Sequence, residues 1–255
     1  MNQEFTLNAM RTIVCQDAQG AAKTVAGLIA DQVRQNPKSV LGLATGGTPV
    51  ATYQVLIEMA RRGEVDFRQV TSFNLDEYIG LAGDHPQSFR AFMDEQLFGQ
   101  INIPIEQTFV PDGCASDIDA SCARYEAMIR DAGGIDMQLL GIGHNGHIAF
   151  NEPGSEFDSR TRQVELTAET IDKNARFFDS PDQVPRHAIT MGIATILDAR
   201  QIVLLATGAG KADAVRNMLA GPVVAAHPAS LLRNHSHVTV VLDPPAAAAV
   251  TELQQ

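Results

Sequence analysis

Short, continuously apolar runs alternate along the chain with segments whose apolar residues recur every three to four positions. Residues 39–45 (SVLGLAT), 70–76 (VTSFNLD), 135–143 (IDMQLLGIG), 201–207 (QIVLLAT) and 238–243 (VTVVLD) predict buried strands. Each is short, rich in Val, Ile or Leu, and bounded by turn residues. Helical patterns lie between them. Residues 21–33 place Ala22, Val25, Ala26, Ile29 and Val33 on one face, and 50–61, 88–98, 116–132 and 211–219 are similar. Ser116 or Asp117 stands where the fourth of these needs an N-cap. The Ala-rich tail 244–255, opening on two prolines, predicts a last helix. Strands apolar on both faces and separated by helices predict a parallel sheet covered on both sides. With no repeat, low-complexity tract or long linker, residues 1–255 read as a single doubly wound, mostly parallel α/β domain. Ligands of such sheets lie beyond the carboxyl ends of the strands. The residues following each strand are therefore the ones to read for chemistry.

Composition narrows the partners. Lys+Arg 19 against Asp+Glu 30 gives a net charge of −11. That balance argues against nucleic acid and anionic membranes, so an anionic ligand needs a local site that overcomes the global field. The three cysteines, Cys15, Cys114 and Cys122, form no CxxC or Cys/His framework and read as reduced thiols. No basic-then-apolar leader is visible, and no apolar run approaches the roughly 20 residues that span a bilayer. The expectation is a cytoplasmic protein.

Four strand ends carry suitable groups. The first is Thr45-Gly46-Gly47-Thr48-Pro49, followed by a helix. Two glycines, two hydroxyls and a helix N-terminus suit a phosphate cradle, and an ordinary tight turn fits as well. The second carries Asp76 and Glu77, either a general base with a helper or a helix cap. The third, 141–153 (GIGHNGHIAFNEP), contains a literal GxGxxG. A dinucleotide site requires a helix directly behind that motif, whereas Asn151, Pro153 and Gly154 follow within eight residues. His144 and His147 are a weak metal signal without a companion Cys/Asp/Glu set. One imidazole with amides and Glu152 instead suits an acid/base relay. The fourth, Thr207-Gly208-Ala209-Gly210-Lys211, is not a Walker loop, which would need Gly at 205 and Ser or Thr at 212, where Leu205 and Ala212 stand. It suits a phosphate, and a merely solvated lysine fits too. Two ends look anion-binding and two look acid/base. Together they predict an enzyme that moves protons on a small phosphorylated substrate, with no metal and no cofactor.

At these residues the chain resembles the glucosamine-6-phosphate deaminase (glucosamine-6-phosphate isomerase) family. The carriers are LGLATGGTPVATY (41–53), TSFNLDEYIGL (71–81), GIGHNGHIAFNEPGS (141–155), NARFF (174–178) and the Gly-Lys loop at 210–211. Phosphogluconolactonases share the fold and the Gly-rich loop, but FNLDEY beside GHIAFNEP is similar to the deaminases. The resemblance implies a Rossmann-like domain that converts D-glucosamine 6-phosphate and water to D-fructose 6-phosphate and ammonia. It implies that Asp76 takes the C2 proton and returns it at C1. It assigns ring opening to His147 and the tuning of that imidazole to Glu152. Gly46, Gly47, Thr48, Arg176 and Lys211 would hold the phosphate. Some members carry Asp where Asn145 stands, forming an Asp-His-Glu relay. An amide at 145 can still hydrogen-bond His147 but cannot ionise.

Two alternatives remain open: a galactosamine-type isomerase/deaminase, and a sugar-phosphate sensor. The sensor is disfavoured by the charge and by the lack of room for a DNA-binding domain before Leu41. No coiled coil or interface stripe fixes the oligomeric state, and a homo-oligomer is left open. Allosterically activated members carry an Arg-x-Lys pair after GHIAFNEP. Here Arg162 remains, Val164 stands in place of the lysine, and Glu165 follows. The expectation is an enzyme not activated by N-acetylglucosamine 6-phosphate.

Overall fold

The computed structural model describes residues 2–178 and 180–251. It begins with a hairpin that hydrophobic patterning did not single out, Gln3–Leu7 (β1) and Met10–Val14 (β2), paired antiparallel. Its two-residue turn, Asn8 and Ala9, has φ of 48° and 64°. Such turns favour Asn-Gly, and the alanine hides the signal. The chain continues through Ala18–Gln35 (α1), Val40–Leu43 (β3), Gly47–Arg61 (α2), Thr71–Asn74 (β4), Asp76–Tyr78 (β5) and Phe89–Gln96 (α3). Thr108–Phe109 (β6), Ile118–Asp131 (α4), Met137–Leu140 (β7), Arg162–Glu165 (β8), Ala168–Asn174 (α5) and His187–Thr190 (β9) follow. The chain then runs through Ile193–Leu197 (α6), Gln201–Ala206 (β10), Ala212–Ala220 (α7), Val238–Leu242 (β11) and Pro244–Thr251 (α8). The predicted helical tail is thus seen as far as Thr251, and residues 252–255 lie outside the described residues.

The main sheet has eight strands in the order β1-β2-β11-β10-β7-β3-β4-β6, parallel except for the hairpin. From β3 the chain winds outward to β4 and β6, returns to β7 beside β3, then winds the other way to β10 and β11. Right-handed crossovers place α2 and α7 on opposite faces because the direction of travel reverses. In keeping with this, α1 packs on α2 and α7 packs on α8. The reversal opens a crevice between the carboxyl ends of β3 and β7. Local signals agree with the sheet. The α1 face buries Ala22, Val25, Ala26, Ile29 and Val33, and Asp117 caps α4 by accepting from Ala120 N at 2.9 Å. Among the described residues no helix is long and apolar enough to cross a membrane.

One predicted strand is two. The run 70–76 ends its pairing with β3 at Asn74, and Asp76 opens β5, which belongs to a second, three-stranded antiparallel sheet, β5-β9-β8. Leu75 is the joint. Its N–H donates to Leu43 O at 3.1 Å in the first sheet, and its carbonyl accepts from Met191 N at 2.7 Å beside the second. The second sheet escaped sequence analysis because β8 (RQVE) is polar and β9 (HAIT) is too short to stand out. Below the joint Phe73 stacks on Phe109, with ring centroids 5.0 Å apart, and meets Tyr125 edge-on. The Tyr125 hydroxyl donates to Asn74 O at 2.8 Å, pinning the last residue of β4.

Candidate active site

A cavity of about 540 Å³ opens at the β3/β7 crevice, lined by Thr45–Thr48, Asp76, His144, His147, Thr170, Arg176 and Lys211 among others. Of the nine predicted site residues, seven line it: Gly46, Gly47, Thr48, Asp76, His147, Arg176 and Lys211. Glu152 and Asn145 stand behind the wall, where they contact each other.

The first wall is the turn after β3. Gly46 is the N-cap of α2 with φ 98°, a conformation that needs glycine. It has no side chain to cap the first-turn amides, an arrangement that suits an anion at the positive end of the helix. The Tyr53 hydroxyl donates to Ala44 O and fixes the strand end from below. Lys211 closes a single 3₁₀ turn, Ala209–Lys211, just before α7. Arg176 lies in a similar turn after α5. Two cations and one helix N-terminus thus line the same cavity.

Asp76 is 6% exposed, and Thr45 Oγ1 lies 3.5 Å from its Oδ1. Burial, and secondarily the negative charge of Glu77, push its carboxyl up to about 8. Glu77 faces away from the cavity. Its carboxylate accepts from the N–H groups of Tyr78, Phe89 and Arg90 at 2.8, 2.9 and 2.9 Å. It therefore fastens the start of α3 to β5. Burial raises its pKa in spite of those three donors. The two carboxylates divide the alternatives left by the sequence: Glu77 serves the helix, and Asp76, in β5, is not a helix cap.

The 143–152 segment makes a tight turn after β7 and opens no helix behind the GxGxxG pattern. Gly143 N donates to His147 O at 2.8 Å. His147 Nδ1 lies 3.4 Å from Glu152 Oε2, close enough for charge pairing but not aligned as a hydrogen bond. Burial raises the Glu152 carboxyl, but His147, Asn145 and Thr170 outweigh it and hold the group at about 2. Asn145 departs from expectation. Its Nδ2 donates to Glu152 Oε2 at 2.8 Å and its Oδ1 accepts from the His147 backbone N–H at 3.2 Å. The amide therefore steadies the carboxylate and the loop and makes no hydrogen bond to the imidazole. An ionised Asp could not donate to Glu152, which gives the amide a positive reason to be there. His144 also lines the cavity, its Nε2 2.7 Å from Glu169 Oε1. No group of three or more His, Cys, Asp or Glu among the described residues is placed to hold a metal ion.

Asn151 anchors the far side of the turn. It donates to Ile148 O and Met191 O at 3.0 and 2.8 Å and accepts from Arg162 Nη1 at 2.9 Å. The guanidinium of Arg162 is thereby engaged by the end of the 143–152 turn. Sequence analysis missed Thr45 as a partner of Asp76, and missed Thr170 altogether. The first sat within the recognised turn. The second carries no local signal, being one threonine in a polar helix.

Comparison with known proteins fits this geometry. A glucosamine-6-phosphate deaminase of Rhodopirellula baltica is 55% identical over 242 residues, 95% of this chain and 96% of its own length. One from Cellvibrio japonicus is 52% identical over 245 residues, 96% and 93% of the two chains. The solved structure of a monomeric glucosamine-6-phosphate deaminase superposes with a TM-score of 0.92 at 45% identity, covering 94% of this chain and all of that one. The 6-phosphogluconolactonase of Trypanosoma cruzi shares the fold, with a TM-score of 0.74 at 24% identity over 98% of this chain and 99% of that one. The family model of glucosamine-6-phosphate isomerases/6-phosphogluconolactonase matches residues 16–241, and the chain belongs to that family.

Proposed function

We infer that the protein is a glucosamine-6-phosphate deaminase, converting D-glucosamine 6-phosphate and water to D-fructose 6-phosphate and ammonia. The observation that carries this reading is one cavity lined by a buried carboxyl, Asp76, an imidazole, His147, a glycine turn and two cations, Lys211 and Arg176. Relatives at 50–55% identity bearing that name support it.

In this reading the Gly46–Thr48 amides, Lys211 and Arg176 hold the phosphate and so fix the sugar's far end. The closed sugar has no carbonyl to acidify C2, so the ring opens first. The His147 imidazole takes the anomeric hydroxyl proton and delivers one to the ring oxygen, and the adjacent Glu152 charge supports the transient imidazolium. Asp76 then removes the C2 proton, giving an enolamine, and returns it at C1. The resulting C2 iminium is attacked by water and expels ammonia, leaving the ketone. Burial keeps Asp76 largely protonated near neutrality, since its carboxyl titrates at about 8. The substrate's own C2 ammonium, brought beside it, favours the ionised form that can act as base.

Ammonia release from glucosamine 6-phosphate is the direct test, with galactosamine 6-phosphate as the epimeric control. No ammonia from either substrate would sink the reading, and a preference for the second would reassign the sugar.

Regulation gives a separate expected result. Rate against substrate concentration is hyperbolic, with and without N-acetylglucosamine 6-phosphate. Val164 offers no charge, Glu165 repels a phosphate, and Arg162 is already held by Asn151. A sigmoidal curve made hyperbolic by that ligand would contradict this.

A further inference from the structure

We propose that Thr170 is a positioning residue for the deamination reaction: its hydroxyl clamps Glu152 and thereby ties the segment that carries Arg176 to the imidazole of His147. The inference rests on the function proposed above and assigns a residue that neither the motifs nor the resemblance pointed to.

Glu152 has two carboxylate oxygens, and each has a donor. Oε2 receives Asn145 Nδ2 at 2.8 Å and faces His147 Nδ1 at 3.4 Å. Oε1 receives the Thr170 hydroxyl, also at 2.8 Å. The direction of that hydroxyl is fixed by a short chain of hydrogen bonds. Thr170 N donates to Thr167 Oγ1 at 3.2 Å, in the capping bond of α5. The Thr167 hydroxyl donates in turn to Thr170 Oγ1 at 3.0 Å. With its oxygen already accepting, the Thr170 proton is left to point at Glu152. Hydrogen bonds arranged in series polarise one another in the same sense. The cap of α5 thus ends on the carboxylate behind the imidazole.

The same helix leads directly into the 3₁₀ turn bearing Arg176 and on to Phe178, whose ring meets Tyr78 edge-on at 5.9 Å. The Glu169–His144 pair, at 2.7 Å, makes a second contact between α5 and the loop. Two consecutive residues of α5 therefore grip the 144–152 loop, while Asn174, Arg176 and Phe178 further along the same segment line the cavity. Thr170 is the one whose partner, Glu152, lies against Nδ1 of His147. Binding the phosphate through Arg176 and holding Glu152 beside the imidazole become one structural event.

Thr170→Val keeps the β-branched shape and removes the donor, whereas Thr170→Ser keeps the donor and removes the methyl group. Hydrogen bonds to charged groups contribute enough that the valine variant should lose about tenfold in kcat, and the serine variant no more than about twofold. A residue that only shapes the segment gives the reverse order, because valine preserves its volume. A second measurement needs no turnover. Amide hydrogen exchange across residues 168–175 should rise about tenfold in the valine variant and stay near wild type in the serine variant. Equal turnover, or equal exchange, in the two variants would overturn the proposal. This exchange pattern in the two variants, together with wild-type protein that releases no ammonia, would refute the proposed function and leave the tether standing.

Discussion

Asp76→Asn should lower ammonia release from glucosamine 6-phosphate by about 10²–10⁴, the usual cost of losing a positioned general base. The fold and sugar-phosphate binding should be kept. The amide is nearly isosteric, and the backbone at residue 76 is held from both sides, by Leu75 N on Leu43 O and by β5 pairing Asp76 with Thr190. The substitution therefore acts on the proton and not on the scaffold. Exchange of the substrate C2 hydrogen with solvent, followed in the same variant, should fall in parallel. Near wild-type turnover in the Asp76→Asn variant would remove Asp76 from the chemistry.

The same substitution should also change stability, in a direction set by the carboxyl's environment. Its ordinary value is 3.8 and burial brings it to about 8 in the folded chain. Below about pH 4 the group is protonated in both folded and unfolded states and adds no pH dependence. Between those values the folded protein keeps a proton that the unfolded chain releases, so stability falls as pH rises. Above about 8 the whole cost of a buried carboxylate is present. Asparagine carries no such cost. The melting temperature of the variant relative to wild type should therefore increase from pH 5 to pH 9. A difference that does not vary with pH would contradict the burial of an ionisable group at this position. Storing such a cost at the base is a recurring trade between stability and activity.

The sequence was most legible where one physical rule acts alone. The strand of 201–207 is apolar on both faces because helices cover both, and it appears as β10 within one residue. Asp117 caps α4 because an N-cap needs only local geometry. Asp76 was legible as a strand-end acid, yet its environment was not. The run 70–76 shows no break in its pattern, since Leu75 is equally apolar whether it continues one sheet or joins two. The turn residues Gly46, Gly47 and Thr48 carry their own signal, because a positive φ and a helix start are written in composition. Asn145 was visible as a departure, but which neighbour its amide would choose depends on where Glu152 folds back. Thr170 lies 18 residues from that carboxylate, and only the second sheet and α5 bring the two together. Contacts of that kind are set by the path of the chain between elements, which hydrophobic periodicity does not encode.

Gly143→Ala should reduce kcat about a hundredfold without replacing any group proposed to transfer a proton. A methyl group at residue 143 would lie 2.3 Å from Cε1 of His147 and 2.4 Å from its Nδ1. Real side chains do not approach that closely, so one of the two must move. The backbone of the turn is held by Gly143 N on His147 O at 2.8 Å and Gly146 N on Gly143 O at 3.1 Å. Beyond it Asn151 fixes the loop to Met191. The imidazole faces the cavity and has room on that side, so the ring is what gives. Swinging it outward takes Nδ1 away from Glu152 and moves the ring from the place that the proposed proton transfer uses. Displacements of about 1 Å at a reacting group cost on the order of a hundredfold. Affinity for an acyclic amino-alditol phosphate, which needs the phosphate turn but no ring opening, should change little. The decisive comparison is a double-mutant cycle with His147→Ala. If the methyl group acts only by displacing the imidazole, it has nothing to displace once the imidazole is gone. The double variant should then be no slower than His147→Ala alone, and should recover any melting temperature lost by Gly143→Ala. Costs that simply add would mean that Gly143 acts through the backbone, and wild-type turnover in Gly143→Ala would mean that the ring position does not matter.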